Sequence, residues 1–362
     1  FYDDPSISRT IKELSSSLRE TNNNLILSSH ILPSSEELDD LITIINLPLP
    51  DLSELTALIK KIAFNTDSDL SEQDLNELAI ASSGLSEIKV KQVTAKALTQ
   101  RGKISKYDIK DILEEKKQVI ARSEILEFCE SKSSQNDIGG LKLLKTWLKQ
   151  RYRAFSKEAQ EYGLPIPKGV LLVGPQGTGK SLTAKSISES WSMPLLRLDV
   201  GRLFSSLVGS SEARTRETIS RAEAMSPCIL WIDEIDKGFG GDARSDGGTS
   251  QRVLASLLTW MAEKESAVFV IATANAIDKL PAELLRKGRF DEIFFLDLPN
   301  SEERLSILDL HLKKRRPSYN FPLSTIIDRT DGYSGAELEQ AVIEGMHFSF
   351  SENRELMEKD LI

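Results

Sequence analysis

The chain has 362 residues, room for two compact domains or a little more, and its 40% apolar and 28% charged content is ordinary for a soluble globular protein. Its net charge of −9 argues against a nucleic-acid surface, which would want a basic stripe, and no apolar run approaches the ~18 residues of a membrane span. Two cysteines (Cys129 and Cys228) and three scattered histidines (His30, His311 and His347) make neither a disulfide framework nor a metal spacing, which points to a reducing compartment.

Residues 1 to about 120 carry no phosphate-binding loop, but they echo the last third of the chain at an offset of about 250. Leu25 to Ser29 resembles the later run Val268 to Thr273, and Ile44 to Asp51 resembles Phe294 to Asn300. Gly84-Leu85-Ser86 through Gln92 runs without a gap beside Gly332-Tyr333-Ser334 through Gln340, and Ile104 to Ile109 parallels Leu356 to Leu361. From Ile120 the chain reads as a helix, with Cys129 in a helical pattern, followed by the polar linker Ser131 to Asn136.

The apolar run Gly169 to Val173 reads as a strand and leads into Gly174-Pro175-Gln176-Gly177-Thr178-Gly179-Lys180-Ser181, after which Leu182, Ala184 and Ile187 recur at helical spacing. A glycine loop between a strand and a helix presents successive backbone N–H groups and a positive helix end to a polyphosphate. Lys180 would reach the outer phosphates of a nucleoside triphosphate, and the Ser181 hydroxyl would ligate Mg²⁺. Pro227 to Ile232 is a continuous apolar run, as expected of a strand buried on both faces of a parallel sheet, and it ends in Asp233-Glu234. Ligands of such sheets bind beyond the carboxyl ends of the strands, so Asp233 would hold Mg²⁺, directly or through water, and Glu234 would polarise the attacking water. A third strand, Val268 to Thr273, precedes Asn275, whose amide can bond the terminal phosphate or the water without adding charge. Arg286 and Arg289, three apart beside Gly288, read either as a solvated basic turn or as arginine fingers. Lys313 to Arg316 reads as a solvated helix end.

These motifs resemble the AAA clade of the AAA+ ATPase superfamily over residues about 135 to 362. Asp137-Ile138-Gly139-Gly140-Leu141 is similar to the adenine-side entry motif, Asp233-Glu234-Ile235-Asp236 to the second phosphate-site motif, and Asn275 to the first sensor. Arg286 and Arg289 match paired arginine fingers, and Gly332 to Leu338 the lid signature, in which Gly335 and Ala336 face the nucleotide. Pro227 to Gly241 and Leu284 to Pro299 look most like the open-reading-frame AAA proteins of chloroplast and cyanobacterial genomes. The resemblance implies an α/β fold, a parallel sheet between helices with a helical lid, using ATP and Mg²⁺. Together with the fingers it implies a homo-oligomeric ring, usually a hexamer, that remodels a protein client in a cyanobacterial cytoplasm or plastid stroma. Work connected with photosynthesis or inorganic-carbon use is part of that expectation.

On this reading residues 1–123 are the remainder of a degenerate AAA+ domain whose upstream half is absent, with a sheet part at about 1–63 and a lid at about 64–121. Glu37 and Asp40 fall near its finger positions and Ser29 or His30 at its sensor position, so it should not hydrolyse ATP. A linker at 124–136, a large subdomain at 137–311 and a lid at 312–362, itself truncated, complete the expected organisation. Ser206-Leu207-Val208-Gly209 would be the first pore loop, and Gly238 to Gly248 a flexible segment near the pore. Many family members that thread polypeptide carry an aromatic where Leu207 stands and an acid where Ser210 stands. Those departures keep open a nucleotide-dependent scaffold with slow turnover, whereas a nucleic-acid motor is disfavoured by the acidity and by the Gly335-Ala336 lid.

Overall fold

The structure is a computed structural model that describes residues 5–18, 21, 23–28, 41–43, 45, 47, 49–121, 125–129, 140–191, 193–204, 210–239 and 249–361. It divides into two units, Phe1–Pro48 and Leu49–Ile362. In the first, the described residues form one helix, α1 (Pro5–Leu18). The expected strand at Leu25 is not formed among the described residues: residues 23–28 have no regular secondary structure, with Ile26 89% exposed. A strand needs a neighbour for its backbone groups, and no second strand is present among the described residues of this unit.

The second unit begins with four helices, α2 (Leu52–Asn65), α3 (Glu72–Ser82), α4 (Glu87–Arg101) and α5 (Ile109–Ala121). Asp51 and Ser71 close capping boxes with Glu54 and Asp74, which satisfies amide groups that the first helical turn leaves open. Leu55, Ile59, Leu78, Val90 and Ile112 meet in one buried cluster. The helical part therefore starts at Leu52, earlier than the boundary near residue 64 expected from sequence.

The stretch expected to be linker contains a strand instead: β1 (Leu126–Cys129), so Cys129 is on a strand and not a helix. Then come α6 (Lys142–Arg153), α7 (Lys157–Glu161), β2 (Gly169–Val173), α8 (Lys180–Trp191), β3 (Leu195–Leu198), α9 (Val200–Phe204) and α10 (Ser210–Ala224). The large subdomain closes with β4 (Cys228–Ile232), α11 (Thr249–Glu263), β5 (Val268–Ala274) and β6 (Glu292–Phe295). The strands make a six-stranded sheet of order β1-β3-β4-β5-β2-β6. Every pairing is parallel except β1 with β3, where Glu127 stands opposite Arg197. Side chains on the two sheet faces belong to two different buried clusters, one with Leu171, Leu230 and Val270, the other with Val170, Trp231 and Ile271. Burial on both faces is why β2, β4 and β5 read as unbroken apolar runs.

The lid consists of α12 (Ser301–Arg315), α13 (Ser324–Arg329), α14 (Gly335–Ser351) and the 3₁₀ turn Glu358–Leu361. Asn300 and Glu303 form the capping box that starts α12, and Leu308 and Leu312 pack in one cluster with Leu338 and Val342. The expected boundary at residue 311 thus falls inside a helix, because the apolar stripe of α12 is continuous through it. The helical part docks directly on the large subdomain: a Cβ on Gly84, whose φ is +83, would come within 2.4 Å of the Ala224 carbonyl. Among the described residues no helix is long and apolar enough to cross a membrane.

Candidate nucleotide site

Strand order assembles the site. Residues on β4, β5 and β2 are far apart in sequence, but these strands are neighbours in the sheet, so their carboxyl ends form one edge. The loop after β2 runs from Gly174 to Gly179 and opens α8, whose first residues are Lys180 and Ser181, as the motif requires. The Lys180 ammonium donates to the carbonyl oxygens of Gly174 at 2.7 Å and Pro175 at 2.6 Å, so it sits folded within its own loop. Burial pushes its pKa down, opposed by the nearby Asp236, Glu234 and Asp233. An ammonium held this way loses little on exchanging two carbonyls for a more strongly charged acceptor.

The lid reaches the same loop. Gly177 has φ +80, and a Cβ there would meet the Ser334 hydroxyl at 2.6 Å and the Ala336 methyl at 3.2 Å. Only glycine tolerates both that backbone and that approach. The Ala336 N–H donates to the Gly177 carbonyl at 3.2 Å. Gly335 and Ala336 therefore stand against the phosphate loop, at the start of a helix capped by Ser334 and Glu337.

Beyond β4 lie the carboxylates. Asp233 Oδ1 accepts from Ser181 Oγ at 3.2 Å and from Thr273 Oγ1 at 2.8 Å. The Glu234 N–H donates to the same Thr273 hydroxyl at 2.8 Å, and Asn275 Nδ2 donates to Glu234 Oε1 at 3.1 Å. Glu234 has φ +49, a left-handed conformation that costs a non-glycine residue of order 1 kcal/mol or more. That turn is what lets two adjacent residues of a strand end share one site. Lys237 Nζ lies 2.5 Å from Glu234 Oε2, and this hydrogen bond, aided by that from Asn275, holds the carboxyl below the usual glutamate range.

The donors fit a hard divalent cation bound with a nucleotide. A hydroxyl and a carboxylate converge from Ser181 and Asp233, both oxygen ligands, beside a loop whose Gly179 side is open, with nothing within 4 Å of a Cβ built there. Among the described residues there is no cluster of three or more His, Cys, Asp or Glu side chains that could hold a metal ion.

Sequence reasoning had no role for Thr273, Lys237 or Arg197. Thr273 was legible as the last polar residue of its strand, but its part as the bridge between Asp233 and Glu234 depends on β4 and β5 being adjacent. Arg197 lies 3.6 Å from Asp233 Oδ2 and 5.4 Å above the Trp231 ring. Arg286 is exposed, and Arg289 donates to the Glu283 carbonyl; among the described residues neither hydrogen-bonds the phosphate loop or Asp233-Glu234. Asp291, next in that segment, accepts from the N–H groups of Lys168 at 2.8 Å and Gly169 at 3.0 Å, fixing the segment to the start of β2. Asp137, Ile138, Gly139, the loop Ser206 to Gly209, residues 240–248 and the earlier positions Ser29, His30, Glu37 and Asp40 lie outside the described residues.

Comparison with known proteins accords with this geometry. The ATPase family associated with various cellular activities (AAA) matches residues 170–298, and the second domain of SpoVK-like AAA ATPases matches residues 53–123. The AAA domain-containing protein ycf46 of Guillardia theta is 48% identical over 365 aligned residues, 100% of this chain and 72% of that protein. Its counterpart in Pyropia yezoensis is 46% identical over 98% of this chain and 72% of its own length. The ATP-dependent zinc metalloprotease FtsH of Cyanidium caldarium is 40% identical over 56% of this chain and 34% of its own length. A likeness that runs the length of the chain, together with the strand order and the phosphate loop, means that this chain belongs to the AAA ATPase family, among the ycf46 AAA domain-containing proteins.

Proposed function

We propose that the chain binds ATP with Mg²⁺ and hydrolyses it, and that it works as a ring, with six subunits the expected number, to remodel a protein client. The observation that carries the hydrolysis is the bonded series Ser181–Asp233–Thr273–Glu234–Asn275, which joins a metal-ligand pair to a base and its orienting amide. Phosphoryl transfer asks the protein chiefly for positioning and charge stabilisation, which this series supplies. Bound between Ser181 and Asp233, Mg²⁺ would neutralise charge on the phosphates. Lys180 leaves its two carbonyl partners for the outer phosphates; Glu234, oriented by Asn275, polarises the attacking water and takes its proton. Gly335 and Ala336 close the loop from the lid side. Asp137, Ile138 and Gly139 complete the adenine side by resemblance.

Ring assembly is supported by the place of Arg286 and Arg289 after β5, where, among the described residues, neither hydrogen-bonds its own phosphate loop. Arginines so placed serve a neighbour's nucleotide, and head-to-tail contacts of this kind close into rings. The likeness of residues 53–123 to an AAA ATPase domain supports reading the N-terminal part as a degenerate copy of such a domain. Its first and third helices carry caps matching those of the lid, Asp51 for Asn300 and Ser86 for Ser334. Both helical units also close on an Arg–Asp pair, Arg101 with Asp108 and Arg354 with Asp360.

A second reading, a scaffold in which ATP fixes assembly and turnover only resets it, is favoured by one contact. The Glu234 carboxylate is bonded by Lys237 as well as by Asn275, and the ammonium lowers its basicity toward water until Lys237 withdraws. The likeness to ycf46 proteins of algae such as Guillardia theta supports a plastid stroma or a cyanobacterial cytoplasm as the place where the chain works. Glu234→Gln tests the reading: ATP and Mg²⁺ should stay bound while turnover falls by about 10²-fold or more, the scale of removing a positioned base. Near wild-type hydrolysis would mean that another group orients the water. Protein captured by this stalled variant, and stimulation of wild-type turnover by it, separates remodelling from scaffolding.

A further inference from the structure

The extra strand β1 brings a charged row to the metal side of the site. Glu127 on β1, Arg197 on β3 and Trp231 on β4 are direct cross-strand neighbours, so their side chains share one face of the sheet. The Arg197 guanidinium lies 5.4 Å from the centre of the Trp231 ring, which steadies it as a flat cation on a π surface. From there it faces two carboxylates. Its Nη2 is 3.6 Å from Asp233 Oδ2, and its Nη1 is 3.7 Å from Glu127 Oε2. The other Asp233 oxygen, Oδ1, already accepts from Ser181 and Thr273. Arg197 therefore sits on the oxygen of Asp233 left open by the neutral donors, at the place where a cation would be held.

A divalent cation and a guanidinium compete for one carboxylate, because each raises the local potential that the other must enter. Glu127, 69% exposed on the edge strand, is the alternative anchor for Arg197 and partly neutralises it. We propose that Arg197 is a positioning residue with two stations: paired to Asp233 in the metal-free site, and drawn to Glu127 when Mg²⁺ enters with nucleotide. The strand delivered by the N-terminal helical unit, through α5, thereby sets the metal affinity of the ATPase site. This rests on the phosphate-loop reading, since it needs a metal nucleotide at Ser181 and Asp233. It also assigns β1 a task beyond closing the sheet edge: withdrawing Glu127 strengthens the hold of Arg197 on Asp233 and weakens the hold of the site on metal.

The test is a titration of the full chain with Mn²⁺ in the presence of a non-hydrolysable ATP analogue at low ionic strength, bound metal being read by electron paramagnetic resonance. Arg197→Gln should tighten Mn²⁺ by about two- to five-fold, the scale of losing one half-exposed charge contact. Glu127→Gln should weaken it, by a smaller factor, and Arg197→Lys should stay near wild type. In an Arg197→Gln background, Glu127→Gln should have no further effect, because Glu127 acts through the guanidinium. A merely structural role would move both single variants in the same direction. Unchanged metal affinity in Arg197→Gln, or a Glu127→Gln effect that persists undiminished in the double variant, would overturn the inference. Glu127 is exposed on an edge, so its variant folds even where Arg197→Gln does not, and an effect of Glu127→Gln in the tightening direction refutes the proposal alone. Wild-type chain that binds no fluorescent ATP analogue, with or without metal, would instead overturn the phosphate-loop reading and this inference with it.

Discussion

Thr273→Val removes one hydroxyl from the end of β5 and keeps the shape of the side chain. Thr273 is fully buried, and its Oγ1 donates to Asp233 and accepts from the Glu234 N–H, both at 2.8 Å. The first bond is to a carboxylate and is worth about 1.5–3 kcal/mol; the second is an amide–hydroxyl bond worth about 1 kcal/mol. The valine leaves an amide with no acceptor at a residue already in the left-handed region, so Glu234 relaxes away from φ +49. The expected loss is about 2–4 kcal/mol, seen as a thermal midpoint several degrees lower. Turnover should fall further than stability suggests, by about 10²-fold, since an ångström of misplacement of the base and metal ligand is enough. Binding of an ATP analogue without metal should persist, because the phosphate loop is untouched. Thr273→Ser keeps the hydroxyl and should recover most of the turnover. A midpoint in Thr273→Val within about a degree of Thr273→Ser, with turnover within about twofold, would refute the claim that this hydroxyl ties the two carboxylates together.

Lys180→Ala should abolish nucleotide binding in calorimetry, because the ammonium is the point charge of the loop and nothing else there replaces it; unchanged affinity would remove the phosphate-loop assignment. The depressed pKa of Glu234 sets a pH dependence: the carboxylate stays ionised as pH falls below the usual glutamate range, and its hydrogen bond from Lys237 is lost only as pH passes through the lowered value. Lys237→Ala should therefore move the acidic limb of turnover upward in pH and raise turnover above it by freeing one carboxylate oxygen; a limb that does not move would detach Lys237 from the base. Arg286→Ala and Arg289→Ala should each bind ATP and lose hydrolysis, with partial recovery on mixing with Lys180→Ala subunits, since fingers worth about 10³ to 10⁵ in rate are supplied by a neighbour. Exchange of subunits without recovery would place the arginines in cis or make the ring a non-working form.

What the sequence determined by itself was the local chemistry that short range decides. The run Gly169 to Val173, the glycine loop to Ser181 and the helical spacing after it are continuous in the chain, and the structure forms them as a strand, a loop and a helix, the helix starting at Lys180 inside the motif. The apolar runs before Asp233 and before Asn275 were likewise readable, because strands buried on both faces leave no alternation to misjudge. Boundaries and partners were another matter. Residues Leu126–Cys129 look like helix and linker until β3 offers them an antiparallel edge, since a four-residue strand has no period of its own to read. The run near Leu25 has the composition of a strand, yet its described residues form none, the converse case. Thr273 and Arg197 were visible as residues, but neither had a legible task, for that depends on which strands lie side by side. Sheet order is a long-range property: it joins β2 to β5 and β4 to β3 across stretches of chain that share no local pattern, and only that order puts a threonine between two carboxylates and an arginine beside one of them.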